Sequence, residues 1–301
     1  MVKEIVELDK PLAYVLGTQP FHPLPVELIV RPPTLIPRPE TEHWIQSLQQ
    51  RIATSPAFGS PSSDTANEPF RVLDIGTGTG CIALSLAYGL DRLGKRPVHV
   101  LAADRANAAL ELATENARRC GLLHGEVAFG PTSPSHVAVL KADVFSPAFT
   151  SDVLSALPPS PLSPTPRFDL VVSNPPYIPL HEYTELDRSV REWEDRGALV
   201  GELPSSSAAP PTSDDAGAAD DGLVFYRRIA SLLRDLLAYP TGTEPSSKQR
   251  ASSSPIVAFE VGQGQARAVQ RLLEEAGYKA DVLEDPWGIE RAVFAYRHVA
   301  A

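Results

Sequence analysis

Asn174-Pro175-Pro176-Tyr177 follows an apolar run, 168–172, that reads as a buried strand. In an open α/β sheet the carboxyl end of such a strand is where ligands bind. The two prolines fix the backbone and remove two N–H donors, leaving carbonyls free to accept. The Asn174 side-chain oxygen and the Pro175 carbonyl can each accept one N–H of a planar NH2 group. That aims a delocalised, weakly nucleophilic nitrogen and favours positive charge developing on it. Tyr177 offers a flat ring to stack on the same group. The chemistry that fits is alkylation of an amide or amino nitrogen. No general base is required, because an alkylated, protonated amide loses its proton to water readily.

A second constellation lies upstream. Asp74-Ile75-Gly76-Thr77-Gly78-Thr79-Gly80 stands between a strand-like run, 71–75, and a helix-like run, 81–90. Glycines there let backbone approach a ligand, and a helix start offers unpaired N–H groups. A dinucleotide fingerprint would put its third glycine at 81, but that residue is Cys81 and the glycine is Gly80. The turn also lacks a P-loop lysine. The spacing suits a cofactor without a pyrophosphate, of which S-adenosylmethionine is the common one. Its carboxylate can use N–H groups of the turn, and its ammonium can use Asp74 or nearby carbonyls. Asp104, at the end of the next strand, is placed to accept from ribose hydroxyls.

The elements that must hold these residues alternate. Strands are predicted at 71–75, 98–103, 137–142, 168–172 and 256–261, with helices at 81–90, 106–119, 223–237 and 265–276. This order implies right-handed βαβ units and a parallel sheet, closed by strands at 279–283 and 290–296. Ahead of them, β-like pieces at 13–16 and 26–30 predict a hairpin, and Pro39 opens a helix carrying Trp44, Ile45 and Leu48. Pro, Ser and Thr concentrate at 54–69, 146–167, 203–221 and 240–255, which read as mobile surface loops inserted in one folded unit.

The chain has 301 residues, with 37 Asp+Glu against 27 Lys+Arg and a net charge of −10. That balance argues against a broad phosphate-binding surface. Cys81 and Cys120 cannot make a disulfide framework. No apolar run approaches the ~20 residues that span a bilayer. The 7 histidines show no metal spacing, so no metal is expected. Trp44 and Trp287 read as core, and Cys81 as a small packing residue.

Several segments together resemble one family, the S-adenosylmethionine-dependent methyltransferases of peptide chain release factors, which modify the glutamine of a Gly-Gly-Gln motif. They are Pro11-Leu-Ala-Tyr-Val-Leu-Gly17, Leu35-Ile-Pro-Arg-Pro-Glu-Thr-Glu42, the glycine-turn segment 72–84, Ser173-Asn-Pro-Pro-Tyr-Ile-Pro179, Arg196-Gly-Ala-Leu199 and the segment 221–229. The Asn-Pro-Pro-Tyr piece alone is shared with amino-methyltransferases of adenine and guanine; the Ile-Pro-Arg-Pro-Glu-Thr-Glu piece is more specific.

The resemblance implies a Rossmann-like class I methyltransferase fold, with a mostly parallel seven-stranded sheet and an antiparallel C-terminal strand, plus the N-terminal hairpin. It divides the chain into a docking remnant, 1–50, and a methyltransferase domain, 51–301. It implies S-adenosylmethionine as cofactor, with Gly76 to Gly80 on its methionine part, Asp104 on its ribose, the pair Asp143-Val144 at its adenine, and Asn174 touching cofactor as well as substrate. Val144 stands where a bulkier residue is often found. Asn174, Pro175, Pro176 and Tyr177 would hold the glutamine amide. Arg38 and Glu40 would shape the mouth of the site, or cap a helix. Trp193-Glu194-Asp195 lies beside the cofactor or in a surface turn.

The expected partner is a release factor, with no direct nucleic-acid or membrane contact, in a monomer. Family members usually carry a helical domain ahead of the Pro11 piece. Only 10 residues precede it here, so a truncated start, or docking by hairpin and loops, is expected. The Ser/Pro insertions suggest a eukaryotic source and a mitochondrial location, the cytoplasm being the alternative. The rival readings are a nucleic-acid amino-methyltransferase, a dinucleotide oxidoreductase and a non-catalytic module of the same fold.

Overall fold

The computed structural model describes residues 2–55, 58, 68–93, 96–123, 135–157, 166–202, 221–238 and 254–297. Continuous Val/Leu/Ala/Ile runs form β3 (Phe70–Ile75), β4 (Val98–Asp104), β5 (His136–Lys141), β6 (Leu170–Ser173) and β7 (Val257–Glu260). Such runs suit strands covered on both faces. With β8 (Lys279–Glu284) and β9 (Glu290–Tyr296) they make one seven-stranded sheet in the order β5-β4-β3-β6-β7-β9-β8. Only β9 runs against its neighbours, pairing antiparallel with both β7 and β8. The seven-stranded, mostly parallel sheet expected from the sequence is therefore present, with its reversed strand at the C-terminal end.

Side chains alternate across each strand. Leu73, Ile75, Leu101 and Ala103 join a core with the Val224–Leu236 and Ala266–Glu275 helices on one face. Val72, Val98, Val100 and Ala102 join a second core on the other face, with the Pro39–Thr54 and Cys81–Asp91 helices. Pro39 stands in the first turn of its helix, as its fixed φ favours. Trp44, Ile45, Leu48 and Ile52 of that helix are fully buried. Residue 50, where a domain boundary was expected, falls inside this helix.

Three expectations are corrected. Residues 13–16 are not a strand but part of the Leu12–Leu16 helix. Gly17 closes it in the left-handed conformation at φ 78°, its N–H donating to Ala13 O at 2.8 Å. The hairpin exists, but β1 (Thr18–Gln19) and β2 (Leu28–Ile29) make it.

The tract 146–167 is not wholly a loop. Phe149–Ser155 is a helix that buries Phe149 and Val153, because two apolar residues four apart share one helical face. Its residues 158–165 lie outside the described residues, as do 56–57, 59–67, 203–220 and 240–253 of the other expected loops.

Trp287 is not core: it is 80% exposed. The Asp285 carboxylate accepts from the N–H groups of Trp287 and Ile289, at 2.9 and 3.0 Å, and from Arg291 Nε at 2.9 Å. This folds the β8–β9 turn so that the indole points outward. No helix among the described residues is long and apolar enough to cross a membrane, and no group of three metal-binding side chains occurs among them.

Candidate active site

The carboxyl ends of β3, β4 and β6, with the segment after β5, open into one cleft. Gly76, Gly78, Asp104, Asp143, Val144, Asn174, Pro175 and Pro176 all line it. Asp74, Thr77, Thr79, Gly80 and Tyr177 do not.

The glycine turn owes its shape to positive φ, at 75° for Gly76, 55° for Gly78 and 84° for Gly80. Its N–H groups are largely committed within the protein. Those of Gly76 and Thr77 donate to Ala103 O at 2.8 and 3.1 Å, and that of Gly80 to Thr77 O at 2.8 Å. The Gly78 N–H donates to Asp104 Oδ2 at 3.0 Å. The turn thus offers a ligand space more than donors: a Cβ at Gly78 would meet nothing within 4 Å. Gly80 differs, since a Cβ there would stand 3.2 Å from Leu84 Cδ1 and 3.4 Å from Ala113 Cβ. It lets two helices pack.

Asp74 lies beneath the turn, fully buried, and accepts from Thr77 Oγ1 at 2.7 Å. Burial above all, with the Asp104 charge adding, pushes its carboxyl up to about 7 despite the Thr77 bond. Burial likewise pushes the Cys81 thiol up to about 12, so it is no activated nucleophile at neutral pH.

Asp104 faces the cleft. Oδ1 accepts the Ala106 N–H at 2.9 Å and Oδ2 that of Gly78. Each oxygen keeps a second lone pair for a ligand hydroxyl. Asp143 Oδ1 accepts the Phe145 N–H at 2.9 Å, which folds the loop after β5 so that Asp143 and buried Val144 line the same wall. Pro33, Thr34, Leu35, Ala109, Ala142 and Phe225 make the rest mostly apolar.

Across the cleft, Ser173 Oγ ties the end of β6 to Ile75 O at 2.7 Å. This sets the Asn174–Pro176 turn beside the glycine turn; a Cβ at Gly76 would lie 4.0 Å from Asn174 O. No hydrogen bond among the described residues uses the Asn174 side-chain amide, which stands half-buried at the cleft wall. The Tyr177 ring packs away from the cleft; its Cδ2 would lie 2.9 Å from a Cβ at Gly262. Burial, then the charge of Glu260, holds its hydroxyl well above the ordinary phenol range.

Behind the turn lies a polar cluster. The buried carboxylate of Glu260 accepts from Thr41 Oγ1 at 2.6 Å and Trp44 Nε1 at 2.7 Å. Burial raises its carboxyl above the usual range. Arg38 donates to both oxygens of Glu194, at 2.8 and 2.6 Å, and Glu40 lies 3.8 Å from Arg291. Neither Arg38 nor Glu40 lines the cleft, whereas Asp195 does, with its carboxylate capping the Gly197 N–H at 2.8 Å. The sequence reading missed the 33–35 wall, Gly197, Ala198, Phe225 and Glu260. A signal for Glu260 exists: an acid ending a strand before Gly262, the same pattern as Asp74 before Gly76.

No protein-family model matches the chain. A Bacillus cereus protein described as release factor glutamine methyltransferase is 33% identical over 287 residues, covering 95% of this chain and 76% of its own length. A Geobacter sulfurreducens protein of the same description is 30% identical over 285 residues, covering 94% of this chain and 72% of its own. A solved protein-(glutamine-N5) methyltransferase (release factor-specific) from Alicyclobacillus acidocaldarius superposes with a TM-score of 0.38 at 24% identity, covering 87% of this chain and 94% of that one.

Proposed function

Because this chain belongs to the release factor glutamine methyltransferase family, we propose that the cleft moves a methyl group from S-adenosylmethionine to the side-chain amide nitrogen of a release-factor glutamine, the one in its Gly-Gly-Gln motif. One observation carries the reading: an Asn174 amide with no hydrogen-bond partner among the described residues and the open space at Gly78 share one cleft.

The cleft fits the cofactor. A Cβ at Gly78 would enter the space that the methionine part needs, and Asp104 keeps lone pairs for ribose hydroxyls. Asp143 presents an acceptor beside the apolar surface of Val144 and Phe225, as an adenine amino group and ring require. The bound cofactor supplies a methyl carbon activated by a positively charged sulfur.

Everything else falls to the chain. Asn174 Oδ1 and the Pro175 carbonyl accept the two N–H groups of the glutamine amide. The prolines hold those acceptors still, so the orientation is set before the substrate arrives. Charge developing on the nitrogen meets two fixed dipoles in a half-enclosed, mostly apolar site. Tyr177 acts through its backbone, which anchors the turn.

The reading is tested by incubating the chain with labelled methyl donor and purified release factors, then locating the mark by mass spectrometry. A labelled glutamine of the Gly-Gly-Gln motif is expected. Label on nucleic acid, or none on the release factor, overturns it.

A further inference from the structure

The Asn174–Tyr177 turn has an anchoring problem. Pro175 and Pro176 have no N–H, so the middle of the turn cannot be tied down by its own donors. Its start is fixed through Ser173. Its end is fixed through Tyr177, whose N–H donates to Leu199 O at 3.2 Å and whose carbonyl accepts from Gln265 Nε2 at 2.8 Å. The same Nε2 donates to Asp221 O at 2.9 Å, and Gln265 Oε1 accepts the Gly262 N–H at 3.1 Å. Both amide protons are therefore used, each on a different backbone carbonyl. Among the described residues, no other side chain hydrogen-bonds to residues 174–177.

The space around this amide has been cleared of side chains. A Cβ at Gly222 would stand 2.0 Å from Tyr177 O and 2.8 Å from Gln265 Nε2. At Gly262 it would stand 2.7 Å from Gln265 Oε1, and at Gly201 2.8 Å from Pro176 O. The segments of Gly201 and Gly222 close on the turn's backbone at distances that only glycine permits. Two carbonyl dipoles, of Tyr177 and Asp221, converge there and repel unless a donor stands between them.

We propose that Gln265 is a positioning residue for methyl transfer: by holding Tyr177 O it sets where Asn174 Oδ1 and the Pro175 carbonyl point. This rests on the reading of that turn as the holder of the substrate amide. Gln265 does not line the cleft, so its loss reaches the transfer step through the backbone it holds, the turn first.

Gln265→Met keeps the length and removes both donors and the acceptor. At saturating release factor and cofactor, kcat should fall about tenfold to a hundredfold, since a misplacement of about 1 Å costs that much. The cofactor Kd should stay within about threefold. A kcat within twofold of wild type overturns the proposal. So does a cofactor Kd weakened in parallel with kcat, which marks a general structural role.

Should the Met variant not fold, Gln265→Glu keeps the acceptor for Gly262 and turns an oxygen on both carbonyls. It should lose at least as much kcat, with the cofactor Kd again held, and a fully active Glu variant overturns the proposal. A wild-type chain that leaves the release factor unmarked overturns the functional reading and the proposal together. An active wild type beside an unaffected Gln265→Met overturns the proposal alone.

Discussion

Asp104 Oδ2 accepts the Gly78 N–H at 3.0 Å, so the acid that ends β4 holds the glycine turn that follows β3. The two strands are parallel neighbours with Asp74 opposite Ala102 and Ile75 opposite Ala103. Their register brings the acid and the turn together. Asp104 thus serves twice: it braces the turn, and it presents lone pairs to the cleft that the turn opens.

Asp104→Ala should therefore weaken cofactor binding more than it lowers stability. A hydrogen bond to a charged group contributes about 1.5–3 kcal/mol, roughly tenfold to a hundredfold in Kd. Titration calorimetry with S-adenosylmethionine reads this, and an unchanged Kd would remove Asp104 from the ribose site.

Asn174→Ala should separate binding from transfer. The cofactor Kd is expected within about threefold of wild type, because the contacts proposed for the cofactor fall to Asp104, Asp143 and the space at Gly78. The turnover number should fall by two orders of magnitude or more, on the order of the loss when one preorganised polar partner is removed. Equal loss of cofactor affinity would argue that Asn174 serves the cofactor instead.

Gly78 and Gly80 predict opposite profiles. Both sit at positive φ, so alanine at either costs about 1–2 kcal/mol of backbone strain. At Gly80 the new methyl also presses on Leu84 and Ala113. Gly80→Ala should chiefly lower Tm. Gly78→Ala meets no protein atom and projects into the cleft, so it should chiefly raise the cofactor Kd. A melting series with parallel titrations distinguishes them, and identical profiles would contradict the two roles.

Features carried by adjacent residues are legible in the sequence. The glycine turn and Asn174–Tyr177 are contiguous, and the covered strands show unbroken apolar runs. What escaped depends on residues far apart in the chain. Gln265 reaches Tyr177 across 88 positions, and Arg38 reaches Glu194 across 156. Periodicity says nothing about either.

Local composition also misled. The Phe149–Ser155 helix lies in a Ser/Pro tract, and its two buried residues were outvoted by their neighbours. Trp287 reads as core, but the hydrogen bonds of Asp285 decide its direction. From the sequence the turn's N–H groups read as free for a ligand, as at any helix start. In the fold they are spent on Ala103, Asp104 and Thr77.

Asp74 supplies a pH-dependent test. It is fully buried, its Oδ2 accepts from Thr77, and its Oδ1 has no hydrogen-bond partner among the described residues. Burial raises its carboxyl from 3.8 to about 7. Between those values the folded chain keeps a proton that the unfolded chain releases. The stability this confers is fully present below pH 3.8 and is lost as pH rises through about 7. The loss runs at about 1.4 kcal/mol per pH unit within the window. Asp74→Asn is uncharged at every pH and escapes it. The Asn variant should therefore gain Tm relative to wild type between pH 5 and pH 8, whatever its offset at pH 5. Glu194 and Glu260, whose carboxyls are also raised, are common to both proteins and cancel in the difference, whereas the Asp104 charge acts on Asp74 and is part of the effect that Asp74→Asn removes. Parallel curves would mean that Asp74 is ionised throughout, and that the space beneath the glycine turn is wetter than its burial implies.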